Sequence, residues 1–433
     1  MLISLLTALI GCKQQCEGIG CNIEPITSNL LVFISPEVAI PDRTPELASL
    51  TIKGNSTHEY DWGFTIDAQK NLWIGTQDGS IYQIPYQIGT RILENETALL
   101  QVPYQNFGDN LLYLDGEYLL ISSPLSDYSE TALDSGKLEI FDNNDLQNPV
   151  IVIQDSSYLS LFPKQLWNCA DLDGDGIADW IASTKEQIIL GLSSIWLQTS
   201  SNTLNSIDIS AFPSIQAETN TDGFAQKLDC SHDFDRDGSI DLVISSPFYQ
   251  GDNSSGKIEI YLNGWENSPF VWFPEESALW YGYSFAIGDI DGDGILDWSI
   301  FSFVNDIPRL EISSMNDQFG LDLKMVLEAK QIGDIPKTSS SFGKRQELKD
   351  IDGDGFDDLL VGDPFYYTAD TESFYPEAGR IFFFYGQEDI TKITEKIDTF
   401  SGNKDYQRLG ERFWLDDLNE DGRLDLIAPV LFP

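Results

Sequence analysis

Short apolar stretches separated by acidic turns recur along most of the chain. Residues 242–247 and 359–364 are largely apolar runs that end in Pro, whereas residues 256–261 and 379–385 begin with Gly and continue as an alternating stretch. A continuous apolar run of this length is typical of a buried strand, and alternation is typical of a half-buried one. The recurring order predicts antiparallel meanders, each with an acidic turn between its first and second strands.

The acidic turns form a nine-residue repeat with the pattern Asp-x-Asp-x-Asp-Gly-x-x-Asp. Five copies begin at positions 171, 233, 289, 350 and 417, so successive copies lie 62, 56, 61 and 67 residues apart. A period this long, in strand-rich sequence, indicates one small sheet per repeat rather than a helical array.

Two earlier stretches, residues 64–84 and 107–141, share this order of strands without the acidic turn. Together with the five repeats that have the turn, they make seven units. We therefore predict an all-β fold, a seven-bladed β-propeller with calcium loops in its later blades. The last unit stops soon after its second strand, so N-terminal strands at 30–34 and 47–53 are expected to close the ring. The predicted blades are residues 59–104, 105–160, 161–221, 222–278, 279–340, 341–405, and 406–433 completed by 28–55.

The nine-residue loops contain the ligand types that calcium prefers, which are oxygens in a flexible shell. Side chains at positions 1, 3 and 5 of a tight loop converge, and Gly at position 6 tolerates the turn. Position 7 offers a backbone carbonyl, and Asp at position 9 closes the shell. We predict about five calcium ions, one per loop. The predicted ligands are Asp171, Asp173, Asp175, Ile177 and Asp179; Asp233, Asp235, Asp237, Ser239 and Asp241; Asp289, Asp291, Asp293, Ile295 and Asp297; Asp350, Asp352, Asp354, Phe356 and Asp358; and Asp417, Asn419, Asp421, Arg423 and Asp425.

An EF-hand is the main alternative for such loops, and it requires a bidentate Glu at position 12. That position is apolar in all five copies, which excludes the EF-hand: Ala182, Ile244, Ile300, Val361 and Ala428. Magnesium and a solvated turn without an ion remain alternatives. The fifth loop departs most from the pattern, because Asn419 and Glu420 replace Asp and Gly.

The N-terminus predicts export. Residues 2–10 are apolar but too short to span a bilayer, and residues 9–12 resemble the bacterial lipobox, in which the Cys is lipidated. We predict a signal peptide at 1–11, lipidation at Cys12, a linker at 12–27 and one propeller at 28–433, with the protein at the outer membrane or cell surface. The run lacks a preceding Lys or Arg, so an ordinary cleaved signal is the alternative.

Four further cysteines are disulfide candidates in an exported protein. Cys16 and Cys21 are close enough to close a small loop, and Cys169 and Cys230 precede successive acidic loops at matching places. Buried free thiols are the alternative for the second pair.

Acidic residues dominate the charge, with 70 Asp and Glu against 25 Lys and Arg and a formal net charge of −45. A protein that binds nucleic acids requires a basic surface, so the acidic composition excludes nucleic acids as partners. Grouping of many carboxylates into the loops indicates cation binding as well as solubility.

Catalytic motifs are sparse. The chain has two histidines, His58 and His232, and no phosphate-binding Gly loop or G-x-S-x-G motif. A binding, adhesion or scaffold module for a protein or glycan partner is favoured, and a glycan lyase or hydrolase on a calcium-stabilised propeller is the alternative.

Long loops on the face opposite the acidic loops are the candidate ligand sites, and one of them contains five aromatic residues: Phe365, Tyr366, Tyr367, Phe374 and Tyr375. Packing of these aromatics against their own blade is equally compatible with the sequence.

These repeats resemble the FG-GAP repeats of the integrin α-subunit head and of bacterial secreted proteins. The Phe/Tyr-Gly pieces of that pattern correspond to residues 281–282, 342–343 and 409–410, and the Gly/Ala-Pro pieces to 362–364 and 428–429. The resemblance covers residues 160–433 well and 59–160 weakly. It implies a propeller that binds metal and, by analogy with integrin heads, a ligand on the face opposite the metal loops, but this scaffold has many roles.

Overall fold

The computed structural model describes residues 27–33, 50–53, 63–76, 79–87, 89–92, 96–102, 107–127, 129, 133–197, 205–219, 222–250, 254–262, 264–274, 278–328, 341–369 and 374–432. Within them, the strands of the first half are β1 (Thr27–Phe33), β2 (Leu50–Lys53), β3 (Phe64–Ile66), β4 (Asn71–Gly75), β5 (Ser80–Pro85), β6 (Gly89–Ile92), β7 (Leu100–Gln101), β8 (Leu111–Leu114), β9 (Tyr118–Ser123), β10 (Lys137–Asp142), β11 (Ile151–Gln154), β12 (Gln165–Asn168), β13 (Trp180–Ser183), β14 (Gln187–Gly191), β15 (Asn205–Asp208) and β16 (Ser214–Gln216).

The strands of the second half are β17 (Leu228–Asp229), β18 (Leu242–Ser245), β19 (Ile258–Tyr261), β20 (Phe270–Trp272), β21 (Phe285–Gly288), β22 (Asp297–Val304), β23 (Ile307–Met315), β24 (Leu321–Glu328), β25 (Arg345–Lys349), β26 (Asp358–Asp363), β27 (Thr368–Ala369), β28 (Phe374–Tyr375), β29 (Arg380–Phe384), β30 (Ile397–Ser401), β31 (Trp414–Asp416) and β32 (Asp425–Phe432). Among the described residues, these strands are accompanied by one short helix, α1 (Ser193–Trp196), and two 3₁₀ turns, Ile209–Ala211 and Ile390–Lys392.

Over the part of the chain that the structure describes, the fold is an all-β propeller with six blades, each an antiparallel meander of four strands. Blade 1 is β3-β4-β5-β7, blade 2 is β8-β9-β10-β11, blade 3 is β12-β13-β14-β16, blade 4 is β17-β18-β19-β20, blade 5 is β21-β22-β23-β24, and blade 6 is β25-β26-β29-β30. The second strands β13, β18 and β26 are buried along their whole length. A strand covered on both faces requires a continuous apolar run, which the sequence has at these places.

A further sheet, here called the terminal sheet, joins the two ends of the described chain in the order β31-β32-β1-β2-β6. Strand β1 pairs antiparallel with β32 from Thr27 opposite Phe432 to Phe33 opposite Leu426. On one side Ile52 and Ile427 share a core cluster with Leu72 of blade 1. On the other side, Leu426 and other residues of β32 share a cluster with strands of blade 6.

The core lies between blades rather than within them. Trp180 of blade 3 is fully buried in a cluster that includes Leu120 of blade 2, and Trp298 of blade 5 is fully buried against Phe234 of blade 4. Each sheet therefore buries its faces only by stacking on its neighbours, as expected for a repeat architecture.

Two parallel strands extend the outer edges of the sheets, and the sequence pattern did not predict either. Strand β15, which follows the third strand of blade 3, pairs in parallel with the outermost strand of blade 2. Strand β6, which follows the third strand of blade 1, pairs in parallel with β2 of the terminal sheet. Both strands cover an edge that would otherwise expose unpaired backbone groups.

Candidate metal centre

Each acidic loop connects the first and second strands of its sheet, so all five loops emerge from the same ends of the sheets. We number them in chain order: acidic loop 1 (171–179), acidic loop 2 (233–241), acidic loop 3 (289–297), acidic loop 4 (350–358) and acidic loop 5 (417–425). Loops 1 to 4 belong to blades 3 to 6, and loop 5 belongs to the terminal sheet.

Two positions of every loop adopt a left-handed backbone. At position 6, all five loops have Gly with φ between 79° and 93°, and no atom lies within 4 Å of where a Cβ would be. The requirement at that position is thus conformational, because only Gly adopts this φ without strain. Position 4 is also left-handed and includes two residues with side chains, Arg236 at φ 61° and Glu420 at φ 58°.

The Asp at position 1 organises the loop by accepting backbone hydrogen bonds. Its Oδ2 accepts from the N–H of the position 6 Gly in every copy, at 2.7 Å in loop 1, 2.9 Å in loops 2 and 3, 3.0 Å in loop 4 and 2.8 Å in loop 5. This bond curls the loop around the carboxylate. In loops 1 to 4 the position 1 carboxylate lies beside those of positions 3 and 9.

The Asp at position 9 is buried, and its carboxylate bonds back to the start of each loop. Its Oδ2 accepts from the N–H of position 2, at 2.7 Å in loop 1, 2.6 Å in loop 2, 3.0 Å in loop 3, 3.1 Å in loop 4 and 3.0 Å in loop 5. Its other oxygen is held by the end of the third strand in three blades. The donors there are Ser193 N–H to Asp179, the Ser314 hydroxyl to Asp297, and Gly386 N–H to Asp358.

Carboxylates from positions 1, 3 and 9 converge in the first four loops. In each trio, one oxygen per residue can be chosen so that all three lie within 4.8 Å of one another. The trios are Asp171, Asp173 and Asp179; Asp233, Asp235 and Asp241; Asp289, Asp291 and Asp297; and Asp350, Asp352 and Asp358. Among the described residues, loop 5 does not form such a trio of acids, because Asn419 stands at its position 3.

The remaining predicted ligands lie at the edge of these clusters. The position 5 carboxylate accepts from the N–H of position 7 in all five loops, at 2.7–3.0 Å, which places the position 7 backbone beside the position 5 side chain. The position 7 residues are Ile177, Ser239, Ile295, Phe356 and Arg423. Their side-chain types differ widely, as expected if only the backbone of this position matters.

Burial and repulsion disfavour the charged carboxylates in these clusters. Burial raises the pKa of Asp179 and of Asp297 to about 6 and that of Asp358 to about 7, with a further rise from the neighbouring acids. Burial and the adjacent acids also raise the pKa of Asp291 and of Asp352. The loops therefore concentrate negative charge that a cation would compensate.

Two serine hydroxyls beside acidic loop 1 have no counterpart in the nine-residue pattern. In blade 3 the Ser193 hydroxyl donates to Asp175 at 2.7 Å, and the Ser194 hydroxyl donates to Asp173. Both serines begin α1, and they lie 18 and 21 residues after the carboxylates to which they donate. Only the end of the third strand brings them to the loop. A Ser at the end of each third strand would have been the signal, yet it is present in only some repeats.

The donor set fits a hard cation. All side chains that converge in the four clusters offer carboxylate oxygen, and none offers sulfur or imidazole. Calcium is bound by such oxygens in flexible geometry, whereas structural zinc uses Cys and His.

The aromatic loop on the opposite face divides into exposed and buried residues. Phe365 is 38% exposed, whereas Tyr366 is only 7% exposed and lies under the Arg380 guanidinium, 3.7 Å from the ring centroid. Tyr367 stacks on Tyr366 with centroids 6.2 Å apart, and Tyr375 pairs with Thr368 in the β27–β28 hairpin, which also includes Phe374. Of the loop aromatics whose burial the structure describes, Phe365 is exposed, Tyr366 is buried, and Tyr367 and Tyr375 are half-buried.

His232 has a structural environment. Its Nδ1 lies 2.8 Å from Asp229 Oδ1, and its ring stacks on Phe234 with centroids 5.7 Å apart. His58, Cys12, Cys16 and Cys21 lie outside the described residues.

Cys169 and Cys230 form a disulfide with Cα atoms 5.2 Å apart, which joins blades 3 and 4. No helix among the described residues is long and apolar enough to cross a membrane.

Two protein-family models match the chain over the acidic loops. An FG-GAP-like repeat matches residues 233–298, and an FG-GAP repeat matches residues 348–384.

Similar proteins include several integrin α-subunits. Integrin alpha-IIb of Mus musculus is 26% identical over 206 residues, which cover 43% of this chain and 19% of that protein. Integrin alpha-5 of Xenopus laevis is 28% identical over 154 residues, covering 35% and 14%, and integrin alpha-8 of Gallus gallus is 26% identical over 236 residues, covering 50% and 21%. The matched regions thus span 14–21% of these relatives.

Among solved structures, one described as "Crystal structure of the eukaryotic initiation factor" aligns over 90% of this chain and 86% of that chain, with a TM-score of 0.37 and 9% sequence identity. A likeness this distant carries no argument about function.

Proposed function

We propose that this chain, which has FG-GAP repeats and resembles integrin α-subunits in sequence, is a calcium-stabilised binding module. The observation that carries the proposal is the convergence of three carboxylates in each of four loops that occupy equivalent places in successive blades. A single acidic turn is common on protein surfaces without an ion. Four in register, each with a buried position 9 Asp, are better explained by a repeated cation site.

The cation would be held by the side chains of positions 1, 3, 5 and 9 and by the carbonyl of position 7. The cation supplies positive charge where burial and repulsion oppose ionised carboxylates. The chain's own contribution is to hold position 1 through the Gly N–H and position 9 through the N–H of position 2. Loop 5, with Asn419, has one fewer negative charge and is expected to be the weakest of the five sites.

Calorimetric titration of the cation-free protein with Ca²⁺, combined with thermal unfolding in Ca²⁺, Mg²⁺ and EDTA, tests this proposal. A cation that binds only the folded state stabilises it by about 2.7 kcal/mol per site at 100 times its dissociation constant. We expect a large rise in Tm with Ca²⁺ and a smaller one with Mg²⁺.

The variant Asp350→Asn should reduce the number of bound Ca²⁺ ions by one. Asp306→Asn, at an exposed acid outside the loops, serves as the matched control. An equal Tm in Ca²⁺ and EDTA, with no heat of binding, would refute the proposal.

We also propose that the terminal sheet is a seventh blade that closes the ring. Its support is the shared core with blade 6 on one side and with blade 1 on the other. The register places Asn29 opposite Val430. The pair Asn29→Cys with Val430→Cys should oxidise to a disulfide, whereas Asn29→Cys with Ile427→Cys should not; equal cross-linking in the two variants would contradict closure.

The proposed partner of this module is a protein or glycan at the cell exterior. Export is supported by the Cys169–Cys230 disulfide, because disulfides persist in oxidising compartments. Lipidation at Cys12 is part of the same proposal. On the face opposite the acidic loops, Phe365 is exposed in the part of the candidate loop that the structure describes. Phe365→Ala should therefore weaken partner binding without changing Ca²⁺ affinity, whereas Ca²⁺-dependent binding that is indifferent to this substitution would contradict the assignment of that face.

A further inference from the structure

A cleft of about 450 Å³ opens between blades 3 and 4 on the side of the acidic loops. Acidic loop 1 contributes one wall through Leu172 and Asp173, and acidic loop 2 contributes another through Ser239 and Ile240. The turn between β19 and β20 completes it with Trp265 and Glu266. This volume lies within the range of small-ligand sites in proteins.

The floor of the cleft is apolar. Leu190 and Leu242 are buried there, and the half-buried Leu172 and Ile240 extend the floor toward the opening. Trp265 is half-buried and packs against the core cluster that blades 3 and 4 share, so the position of its ring is set by the interior. The cleft therefore presents a supported aromatic side chain next to an apolar surface.

The rim is polar and acidic. Asp173, Ser239 and Glu266 are all exposed around the opening, and no Lys, Arg or His is among the described residues that line the cleft. Because the lining has carboxylates and no basic side chain, the rim disfavours phosphates, sulfates and uronic acids. The carboxylates accept hydrogen bonds from hydroxyl groups, which are neutral donors.

We propose that this cleft binds a neutral pyranose ring of a glycan. A pyranose has an apolar face of C–H groups and a polar edge of hydroxyls, which match the Trp265 side chain and the acidic rim respectively. The apolar floor accommodates the ring, and the carboxylates of Asp173 and Glu266 accept from its hydroxyls. A purely apolar ligand would cover the Glu266 carboxylate without giving it a hydrogen-bond donor, which is unfavourable.

The inference deepens the proposed role as a binding module, but it concerns a different face from the aromatic loop around Phe365. Asp173 also belongs to the proposed cation site of loop 1, so cation and glycan would share one residue. Glycan binding is consequently expected to be stronger in Ca²⁺ than in EDTA. Substitutions in the cleft and substitutions at Phe365 on the opposite face therefore test the two binding sites separately.

The test uses the full chain in Ca²⁺ on an array of neutral and acidic pyranose glycans, followed by calorimetry with the strongest neutral oligosaccharide. Trp265→Ala should weaken binding by about tenfold or more, as for an anchoring aromatic, and Trp265→Phe should retain most of the affinity. Tyr158→Ala is the control, because Tyr158 is 61% exposed in the connection between β11 and β12, away from the cleft. If Trp265→Ala does not fold, Glu266→Trp should block the opening and abolish binding.

Three results would overturn the assignment: no neutral glycan bound by the wild type, undiminished binding by Trp265→Ala or Glu266→Trp, or preferential binding of acidic glycans. Loss of binding in Tyr158→Ala alone would place the site on the other face and would also overturn it. Ca²⁺ stabilisation measured on the same samples reports on the proposed cation sites independently of the glycan.

Discussion

Asp357 and Asp289 exchange two hydrogen bonds where blades 5 and 6 meet. The N–H of Asp357 donates to the carbonyl oxygen of Asp289 at 2.8 Å, and the N–H of Asp289 donates to Oδ2 of Asp357 at 2.8 Å. Asp289 is position 1 of acidic loop 3, and Asp357 is position 8 of acidic loop 4. Loops 2 and 3 are joined as well, because Arg236 Nη2 donates to the Gly294 carbonyl at 3.0 Å. The acidic loops therefore support one another around the propeller.

Removal of the Asp357 carboxylate should weaken both stability and cation binding at loop 3. Asp357→Ala leaves the part-buried N–H of Asp289 without its acceptor, which costs about 1–3 kcal/mol in the free energy of unfolding. Because Asp289 holds the predicted cation, we also expect about a tenfold or greater loss of Ca²⁺ affinity at one site. Calorimetry and thermal unfolding measure the two effects.

The matched variant is Asp357→Asn, which keeps an oxygen acceptor at the same place. It should retain most of the stability and affinity. If the Asn and Ala variants lose the same affinity, the negative charge of Asp357 rather than its hydrogen bonds supports loop 3.

The Cys169–Cys230 disulfide should contribute strongly to stability. The two residues are 61 apart in sequence, and closing a loop of that size in the unfolded chain stabilises the folded state by about 4 kcal/mol in the chain-entropy model. We expect the double variant Cys169→Ala and Cys230→Ala to unfold at lower denaturant concentration than the oxidised wild type. Reduced wild type is the control. An unchanged denaturant midpoint after reduction would show that the disulfide does not stabilise the folded state.

Asp67 stabilises blade 1 through hydrogen bonds to its carboxylate. Burial acts to raise the pKa of its carboxyl, but hydrogen bonds from Asn71, Trp73 and Gln83 outweigh burial and lower the pKa. Its Oδ2 accepts from Trp73 Nε1 at 2.9 Å and from Gln83 Nε2 at 3.0 Å. Hydrogen bonds to a charged group are worth about 1.5–3 kcal/mol, so Asp67→Asn should lower stability by about 2 kcal/mol.

The pH dependence of this effect follows from its sign. Because the folded-state pKa lies below the unfolded value of about 3.9, the stabilisation is fully present above that pH and is lost as pH falls through the folded-state pKa. Unfolding curves in EDTA between pH 2 and pH 6 should show the wild type and Asp67→Asn converging at the acid end. Asp145→Asn, at an exposed turn, is the control; a gap that stays constant down to pH 2 would contradict this account.

The position 9 carboxylates should give the cation-free protein the opposite pH dependence. The folded-state pKa of Asp358, raised by burial to about 7, exceeds the unfolded value, so the contribution of this residue to stability is fully present below about pH 4 and is lost as pH rises toward 7. In EDTA, we expect Tm to fall between pH 5 and pH 8, and Asp358→Asn should flatten part of that slope. In excess Ca²⁺ the slope should shrink or reverse, because the cation competes with the proton.

The difference in the pH dependence of Tm between Asp358→Asn and the wild type separates the effect of Asp358 from the general repulsion among acidic residues. A cation-free profile that is equally steep in Asp358→Asn and the wild type would rule out a titrating Asp358.

The acidic loops and the strand order could be predicted from the sequence, because both depend on short-range patterns. A nine-residue loop contains its own position 1 acceptor, its left-handed Gly and its buried position 9 Asp, so its internal geometry follows from local order. The buried second strands were equally visible, since a strand covered on both faces requires an unbroken apolar run.

The contacts between repeats were decided only by the tertiary structure. Ser193 reaches Asp175 across 18 residues, Asp357 reaches Asp289 across 68, and β15 pairs with a strand of the preceding blade. The cleft beside Trp265 also exists only because two neighbouring loops and a turn meet there. No local periodicity encodes which side chains face each other once blades stack, because stacking is set by the twist and spacing of whole sheets.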